Sequence, residues 1–332
     1  MSNPGFTIVH FHFHRRKTGV TKSIEQLLPF LEASTASSVF GYGIDAPKIG
    51  LSTLLKQLFS KTQTVIHVHR NKEMMVALLL RALGGKFALL STRHSATKPS
   101  GLTRFLMNRA DRKIFLTKNA AFDDSPKNCF IPHGINTAHF SSDHLPLTEK
   151  KQIGVVGRIR KSKGQKVVFN ALYPFLKNHP EWRLTFIGKI DQKEYAREIQ
   201  TLAQKHGVEQ QLNFLAQTEK INLFYNRCAL VVVASFSEGF SLVPLEAIAS
   251  GCTVIASENV GVHSDLIKEG GNGYLFPAGD EKKLARTVAD IIENKGFFSS
   301  TVLENSIDAW KIEKIAAQTI TAYKSCFSIV SL

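Results

Sequence analysis

Two glutamates, Glu238 and Glu246, lie eight positions apart where an apolar run gives way to a loop and then to a helix-forming segment. The run over 229–234 predicts a buried strand, and Pro244 suits the first turn of the helix that should follow. Either glutamate alone is more simply explained as a turn residue or a helix-dipole residue. Together, in a strand–loop–helix segment, the two carboxylates could bind two ends of one nucleotide-sugar.

The loop between these glutamates offers backbone amides at the start of the predicted helix. Amides at a helix N-terminus carry partial positive charge and bind anions, so a diphosphate is the natural ligand here. The loop residues that we expect to contribute to donor binding are Gly239, Phe240, Ser241 and Leu242.

A basic turn follows a second predicted strand, over 152–156. The strand ends at Gly157, whose missing side chain lets a ligand approach the backbone closely. Arg158 and Lys163 then present two cations to phosphate oxygens, the arginine as a planar fork and the lysine as a point charge. A basic turn by itself is more often only solvated surface.

Histidines at alternate positions support a competing hypothesis. His10, His12 and His14 would place three imidazoles on one face of a strand, and His67 and His69 repeat the spacing at the end of another. Such spacing is compatible with the metal site of a metal-dependent hydrolase. That hypothesis leaves the glutamates and the basic turn without a purpose, so we expect no metal.

The elements that must position these residues follow from the apolar pattern. Short β-branched and aromatic runs alternate with amphipathic segments along the chain, which predicts an α/β fold with parallel sheets. A length of 332 residues suits two domains, and a polar stretch over 133–150 separates them. We therefore predict domains over 1–148 and 149–332, with the last helix, over 303–326, able to pack back on the first domain.

The predicted strands of the first domain cover residues 6–13, 38–42, 64–68, 87–91, 113–116 and 128–131. Those of the second domain cover 152–156, 183–187, 211–214, 229–234 and 253–256. Because parallel strands end at one edge of a sheet, the loops that carry the candidate residues should face a shared cleft.

The net charge of +15 is unevenly distributed. Residues 1–150 hold 20 Lys and Arg against 9 Asp and Glu, a net charge of +11, whereas residues 151–332 hold 22 against 18, a net charge of +4. A basic half suggests nucleic acid, an acidic membrane surface or a phosphorylated substrate, although a solvated basic surface explains it equally well. No recognised nucleic-acid-binding motif is present, so we expect no nucleic-acid partner.

Features of the whole chain indicate a cytoplasmic protein. No apolar run approaches the roughly 20 residues that span a bilayer, and the start lacks the pattern of a signal peptide. Four scattered cysteines without a C-x-x-C pair fit reduced thiols. A two-lobed sugar-binding protein would share the two-domain architecture, but we would expect it to carry an export signal.

The segment S-x-x-E-G-F-S-L-V-P-L-E-A around Glu238 and Glu246 resembles the E-x7-E motif of retaining GT-B glycosyltransferases of family 4. Residues 157–164 resemble the family pattern G-R-x-x-x-x-K-G, and residues 132–136 resemble its interdomain P-x-G-[IV]-[DN] segment. The resemblance covers nearly the whole chain and is strongest over 150–275. It implies a hexosyltransferase of GT-B fold, with two Rossmann-like domains that face a central cleft.

The resemblance also implies roles for single residues. Glu238 would contact the transferred sugar, and Glu246 the ribose of the nucleotide. Arg158 and Lys163 would stabilise the departing nucleoside diphosphate, whose charge develops as the glycosidic bond breaks. No cofactor and no essential metal are implied.

Two residues of the first domain match the family less completely. His94 follows the strand predicted over 87–91, where a histidine of the family borders the sugar and takes part in catalysis. Gly19 stands in the family's glycine-rich loop near the donor, although this chain has one glycine where a pair is common. A lone histidine at a strand end is otherwise usually structural.

Residues 9–25 resemble the N-terminus of lipopolysaccharide core mannosyltransferases of alpha-proteobacterial type. This implies GDP-mannose as donor and an inner-core acceptor, Kdo on lipid A, with peripheral contact at the inner face of the membrane. A basic domain suits an acidic glycolipid, and the alternative is a UDP-sugar used on another glycan or lipid. Candidate acceptor contacts, or otherwise merely membrane-attracting residues, are Arg15, Arg16, Lys17, Arg70, Lys72 and Arg93.

Overall fold

The computed structural model describes residues 5–95, 97–140, 146, 149–294 and 296–327. The chain divides into two compact units. The N-terminal unit runs to Gly134 and includes the segment that begins at Trp310, and the C-terminal unit is Ile135–Ala309. The division therefore falls at the start of the stretch over 133–150, whereas the sequence placed it near the end.

The N-terminal unit is built on a six-stranded parallel sheet in the order β2-β1-β3-β4-β5-β6. Its strands are β1 (Phe6–Phe13), β2 (Ser37–Tyr42), β3 (Gln63–Val68), β4 (Ala88–Arg93), β5 (Arg112–Phe115) and β6 (Asn128–Phe130). Its first helices are α1 (Gly19–Glu32), α2 (Leu51–Leu58), α3 (Asn71–Ala82) and α4 (Gly101–Met107).

Both faces of this sheet are buried. Ile8 and Val65 pack into a core on one face, whereas Val9 and Ile66 pack into a second core on the other. Successive strand residues alternate between the faces, so a parallel sheet covered on both sides needs apolar residues at consecutive positions. This explains the near-continuous apolar runs of the sequence.

The C-terminal unit contains a second six-stranded parallel sheet, in the order β12-β11-β10-β7-β8-β9. Its strands are β7 (Gln152–Val156), β8 (Arg183–Ile187), β9 (Leu212–Leu215), β10 (Cys228–Val233), β11 (Thr253–Ser257) and β12 (Gly273–Phe276). This is the strand order of a dinucleotide-binding Rossmann sheet. From β7 the chain adds strands first on one side and then, starting with β10, on the other, so the strand order reverses between β7 and β10. Ligands of such sheets bind at that reversal, beyond the carboxyl ends of the strands.

The helices of the C-terminal unit are α5 (Gln165–Asn178), α6 (Lys193–His206), α7 (Ile221–Tyr225), α8 (Val243–Ala249), α9 (His263–Leu266), α10 (Glu281–Glu293) and α11 (Ser300–Ser306). The apolar pattern does not indicate α4, α9 or β12, which are four to seven residues long. Within the described residues, no helix is both long and apolar enough to cross a bilayer.

The prediction of one continuous helix over 303–326 is wrong. Helix α11 ends at Ser306, and α12 (Ile312–Ser325) begins after a break in which the chain passes from the C-terminal to the N-terminal unit. Ile315 and Tyr323 of α12 are buried in the same core as Ile8. A helical apolar pattern continues across the break because both segments bury one face, so the pattern alone does not reveal the break.

A buried ion pair stabilises the N-terminal sheet. Lys113 of β5 is almost fully buried, and its Nζ lies 2.9 and 2.7 Å from the two carboxylate oxygens of Asp123. Burial raises the pKa of Asp123, but hydrogen bonds from Lys113 and Asn128 outweigh that effect and hold the pKa below its usual value. The stabilisation is therefore present at neutral pH and is lost as the pH falls through the folded-state pKa.

Replacing Asp123 with asparagine should leave the buried ammonium of Lys113 without its counter-charge. We expect the free energy of unfolding to fall by about 2 to 3 kcal/mol, less than for a pair buried on both sides, because Asp123 keeps 30% of its side chain exposed. Urea denaturation measures the change. The control Glu198→Gln removes the partner of the more exposed Lys166 and should cost less than about 1 kcal/mol. Equal losses in the two variants would contradict the prediction.

Candidate functional site

A lysine–glutamate ion pair lies at the strand reversal of the C-terminal sheet. Lys163 follows β7 and Glu238 follows β10, and the Nζ of Lys163 pairs with Oε1 of Glu238. The same oxygen accepts a 2.6 Å hydrogen bond from the Ser235 hydroxyl. The two charged side chains are only 16% and 12% exposed. The structure thus brings together two predicted site residues that are distant in sequence.

Glycines in the left-handed backbone region allow the two loops to approach each other. Gly164 has a φ of +70°, and an added Cβ would overlap the carbonyl oxygen of Ala234. Gly261 has a φ of +55°, and a Cβ there would meet the backbone of Phe240 and the Cβ of Glu238 at 2.9 Å. At Gly157, by contrast, the nearest atom to an added Cβ is Cε of Lys163 at 3.8 Å. The space beside this glycine, where the sequence predicts that a ligand approaches the backbone, is therefore open.

The loop over 239–242 leads into α8 as the sequence predicts, but its backbone is unusual. Ser241 has a φ of +79°, which a residue other than glycine rarely adopts, and its buried hydroxyl has no hydrogen-bond partner among the described residues. Glu246 lies in the first turn of α8 and accepts a 2.8 Å hydrogen bond from the Tyr225 hydroxyl through Oε2. Helix α8 has seven residues, so its dipole adds less positive charge than a long helix would.

Arg158 follows β7 and His263 begins α9, and the surroundings of the two side chains differ. Arg158 is exposed, and its guanidinium lies 3.3 Å from the carboxylate of Asp191. His263 is buried, with Nδ1 2.7 Å from the Ser257 carbonyl oxygen and with Nε2 unpartnered in the described protein. Burial lowers its pKa, and the hydrogen bond to the Ser257 carbonyl and the nearby charge of Glu238 partly offset that effect.

Sequence reasoning missed Ser235, Ser241 as a strained position, Gly261 and His263. The position of His263 shortly after β11 was the one local signal, since the carboxyl ends of parallel strands carry ligand contacts. The residue type does not indicate the left-handed backbone of Ser241, because serine has no preference for that conformation. Its conformation results from how the loop packs.

The basic residues of the N-terminal unit follow β1 and β3. Arg15, Arg16, Lys17 and Lys72 are exposed, as is Gly19 at the first turn of α1. Arg70 is also exposed, and its guanidinium lies 3.3 Å from the hydroxyl of Thr18, which caps α1. Arg93 differs from the others, because it is 8% exposed and donates to the Thr97 carbonyl within its own loop. Burial lowers the pKa of Arg93.

His94 follows β4 and lies against other imidazoles. Its Nε2 is 3.0 Å from Nδ1 of His69, and its ring stacks on that of His133 at 5.3 Å between ring centroids. Nδ1 of His94 is shielded from solvent and has no hydrogen-bond partner among the described residues. Burial holds the pKa of His94 well below its usual value, so the ring is neutral.

The three histidines that alternate from His10 to His14 do not form one cluster. The rings of His12 and His14 lie against each other, with centroids 3.8 Å apart, whereas His10 joins His67 and His69. His12 is used locally, with ring nitrogens 2.6 Å from the Tyr42 carbonyl and 3.1 Å from the Thr21 hydroxyl. In the described residues, the one group with ligand atoms close enough for a metal is His10, His67 and His69, all within 4.8 Å of one another. These imidazoles are neutral, since burial lowers the pKa of His10 to about 3 and those of the other two well below the usual value.

Comparison with known proteins identifies the family of this chain. Residues 138–305 match the family described as glycosyl transferases group 1. The chain is 30% identical over 303 residues to the lipopolysaccharide core biosynthesis mannosyltransferase LpcC of Rhizobium leguminosarum bv. viciae, with 86% of each chain covered. It is 29% identical over 338 residues to LpsB of Rhizobium meliloti (strain 1021), described in the same words, with 95% of this chain and 96% of that protein covered. The chain belongs to the group 1 glycosyltransferase family.

The fold of this glycosyltransferase is also found among solved structures. It matches HepE of Anabaena in complex with UDP with a TM-score of 0.78 at 18% identity, over 96% of this chain and 100% of that one. Together with the two parallel sheets, this likeness confirms the predicted α/β fold of GT-B class with two Rossmann-like domains. The family match confirms the prediction of a hexosyltransferase.

Gly164 and Gly207 provide a matched test of the loop packing, since both have a φ of +70°. Gly164→Ala should lower the free energy of unfolding by about 2 to 4 kcal/mol, because the added Cβ combines backbone strain with overpacking against Ala234. Gly207→Ala should cost only about 1 kcal/mol, because nothing lies within 4 Å of its added Cβ. Thermal and urea unfolding measure both, and equal costs would show that the close approach to Ala234 does not matter.

Proposed function

We propose that this glycosyltransferase transfers mannose from GDP-mannose, with retention of anomeric configuration, to a lipopolysaccharide inner-core acceptor of the Kdo–lipid A type. The support for mannose and for the core acceptor is that two relatives matched over most of their length are described as lipopolysaccharide core biosynthesis mannosyltransferases. The support for a nucleotide donor is the set of cations and carboxylates at the strand reversal of the C-terminal unit.

The Lys163–Glu238 ion pair carries the proposal. Neither side chain is more than 16% exposed, so each charge is held in place by its partner at the point where Rossmann sheets bind ligands. A diphosphate would offer Lys163 a second anionic partner, and Glu238 would turn toward the hydroxyls of the sugar. In this proposal Arg158 contacts the phosphates from the exposed side, and Glu246 binds the ribose.

The proposed reaction breaks the bond between the anomeric carbon and the diphosphate oxygen on the face where the acceptor hydroxyl attacks. A phosphate oxygen of the leaving group takes the proton of that hydroxyl. Lys163 and Arg158 stabilise the negative charge that develops on the diphosphate. Glu238 is assigned to a sugar hydroxyl and not to nucleophilic attack, because attack by the acceptor hydroxyl on the face of the leaving group requires no carboxylate nucleophile. No cofactor or metal takes part.

A donor screen tests the proposal. Hydrolysis and transfer would be measured with GDP-mannose, UDP-glucose, UDP-GlcNAc and ADP-heptose, and GDP-mannose should be consumed fastest. Preference for a UDP-sugar would favour the alternative donor, in keeping with the UDP bound to HepE. If no sugar nucleotide or nucleoside diphosphate binds, the proposal is wrong.

Lys163→Ala should lower kcat by about two to three powers of ten, the usual effect of removing one charge-stabilising donor from a transition state. Lys161→Ala is the matched control, because Lys161 lies in the same short turn, is exposed, and is engaged through its backbone, whose amide donates to the Gln192 side chain and whose carbonyl accepts from Gly164. Steady-state rates with GDP-mannose measure kcat for both variants and for the unchanged protein. Near-normal turnover in Lys163→Ala would remove this residue from the mechanism.

We further propose that the transferase acts at the inner face of the cell membrane, attracted by the basic residues of its N-terminal unit. Each near-surface basic residue contributes about 1 kcal/mol to binding an anionic membrane. The exposed residues after β1 are the strongest candidates, because Arg15 and Arg16 are adjacent and pair with no carboxylate among the described residues. Arg93 is the weakest, since its guanidinium is already engaged.

The double variant Arg15→Glu/Arg16→Glu should bind vesicles of anionic phospholipid at least about tenfold more weakly than the unchanged protein. The control Lys282→Glu/Lys283→Glu makes the same change of charge on exposed residues of α10 in the C-terminal unit. Sedimentation with vesicles at two salt concentrations measures the effect. Equal weakening in both double variants would indicate that only the total charge matters.

A further inference from the structure

Three helices of the N-terminal unit carry exposed apolar side chains. Helices α2, α3 and α4 cover the same face of the sheet, because Leu58, Met74 and Leu106 pack into one core. Scattered exposed apolar residues are normal, but a group of them rimmed by polar residues marks an interaction site. Such a group, here called the apolar face, lies on these helices or directly after them and consists of residues that are 52% to 67% exposed, namely Phe59, Met75, Leu79, Leu83, Leu102 and Phe105.

Helix α3 presents a continuous apolar stripe to solvent. Met75, Leu79 and Leu83 are spaced four residues apart, so they lie one above another along the helix and its C-terminal cap. Met74 and Ala77 bury the opposite side of the helix in the core. A helix that is apolar on both sides is normally buried on both sides. Here the protein covers only one of them.

Contacts at the two ends of α3 hold the neighbouring apolar side chains beside this stripe. At the start of the helix, the side-chain amide of Asn71 donates a 3.0 Å hydrogen bond to the hydroxyl of Thr103 in α4. Just past its end, a Cβ added at Gly84 would lie 3.9 Å from the ring of Phe59, which directly follows α2. The apolar residues of α2 and α4 therefore flank the stripe and form one surface with it.

The charges of this layer are almost all positive. Residues 46–110, which contain the three helices, hold 11 Lys and Arg and one acidic residue, Glu73, a net charge of +10. Glu73 is 1% exposed. Asp111, just beyond this segment, pairs with Arg81 at 2.7 Å. The segment therefore holds nearly all of the net charge of +11 of residues 1–150, and its one carboxylate is hidden from solvent.

Exposed cations border the apolar face directly. Lys72 precedes Leu79 by seven residues, about two helical turns, so the two side chains lie on the same side of α3. The guanidinium of Arg109 lies 3.7 Å from the centre of the Phe105 ring. Long cationic side chains beside an apolar surface can keep their stems in a bilayer interface and their charges at the lipid headgroups.

We propose that the apolar face docks on an anionic lipid bilayer, with Met75, Leu79 and Leu83 buried at the boundary between headgroups and acyl chains and the surrounding cations paired with lipid phosphates. The inference rests on the proposed location of the transferase at a membrane, but not on its donor or its acceptor. It differs from electrostatic attraction by Arg15 and Arg16, because apolar burial adds binding that salt does not screen.

A second copy of this chain is the competing occupant of the apolar face. Two copies that met through it would bring two segments of net charge +10 together, and like charges across an interface repel. An anionic bilayer instead offers acyl chains to the apolar residues and phosphates to the cations at the same time. The charge therefore favours the bilayer.

The double variant Leu79→Gln/Leu83→Gln removes the centre of the apolar face without changing the charge. The unchanged protein should stay partly bound to vesicles of phosphatidylglycerol and phosphatidylethanolamine at high salt, where headgroup charge is screened. The double variant should bind at least about tenfold more weakly at low and at high salt, because the two leucines no longer leave water. Sedimentation with the vesicles measures both.

The matched control is Leu215→Gln/Leu223→Gln, which makes the same change on leucines of the C-terminal unit that are 47% and 48% exposed. This control should bind vesicles as the unchanged protein does. Vesicle binding of the unchanged protein that salt abolishes completely would overturn the proposal. Equal weakening in the two double variants would overturn it as well.

Leu83→Trp tests the contact at a single exposed position and keeps the test available if the double variant does not fold. Its added fluorescence should be quenched by vesicles whose acyl chains carry bromine, whereas that of Leu223→Trp should not. Both are measured against the unchanged protein, whose own tryptophans are Trp182 and Trp310. An unquenched Leu83→Trp on vesicles that bind the protein would overturn the proposal.

Two further measurements separate this inference from the competing occupant and from the proposed function. In sedimentation equilibrium without lipid, a dimer that is lost in Leu79→Gln/Leu83→Gln would overturn the proposal in favour of a second copy. Hydrolysis of GDP-mannose in solution should be equal in the double variant and the unchanged protein. Absence of nucleotide binding in the unchanged protein would count against the proposed function alone, whereas normal hydrolysis without salt-resistant vesicle binding would count against the docking inference alone.

Discussion

The C-terminal site depends on the pairing of Lys163 with Glu238, two charges that are both largely removed from water. A buried charge without a partner would cost several kcal/mol, so each residue requires the other, and the loops that carry them must stay together. The strand order makes this possible, because β7 and β10 are neighbours although some seventy residues separate them. Gly164 then allows the loop of Lys163 to approach the backbone of Ala234, and Gly261 allows the loop after β11 to approach that of Glu238.

Besides its Lys113–Asp123 ion pair, the N-terminal unit buries polar side chains that carry no charge. Its sheet also ends in polar residues, but burial keeps the imidazoles neutral, and they satisfy one another through shared hydrogens. The exposed loops after β1 and β3 carry the cations Arg15, Arg16, Lys17 and Arg70. The glycosyltransferase therefore combines an exposed basic surface with a buried, neutral polar cluster in a single unit.

Local patterns accounted for much of this protein. The strand–loop–helix segment around Glu238, the basic turn at Lys163 and the alternation of strands and helices each depend on residues close together in the chain, and the structure contains all three. The break between α11 and α12 escaped prediction because both helices bury an apolar face, although in different units. The positive φ of Ser241 escaped prediction because serine has no preference for it.

The sequence by itself determined the fold class and the family motifs, since these reside in short-range periodicity and spacing. Only the tertiary structure decided which histidines meet. His10 and His12 lie on β1 and His14 directly follows it, yet His10 joins His67 and His69 because the register of two parallel strands sets His10 beside His67. Tyr323 joins them because the last helix packs back on the first sheet, a contact across more than two hundred residues that no local pattern encodes.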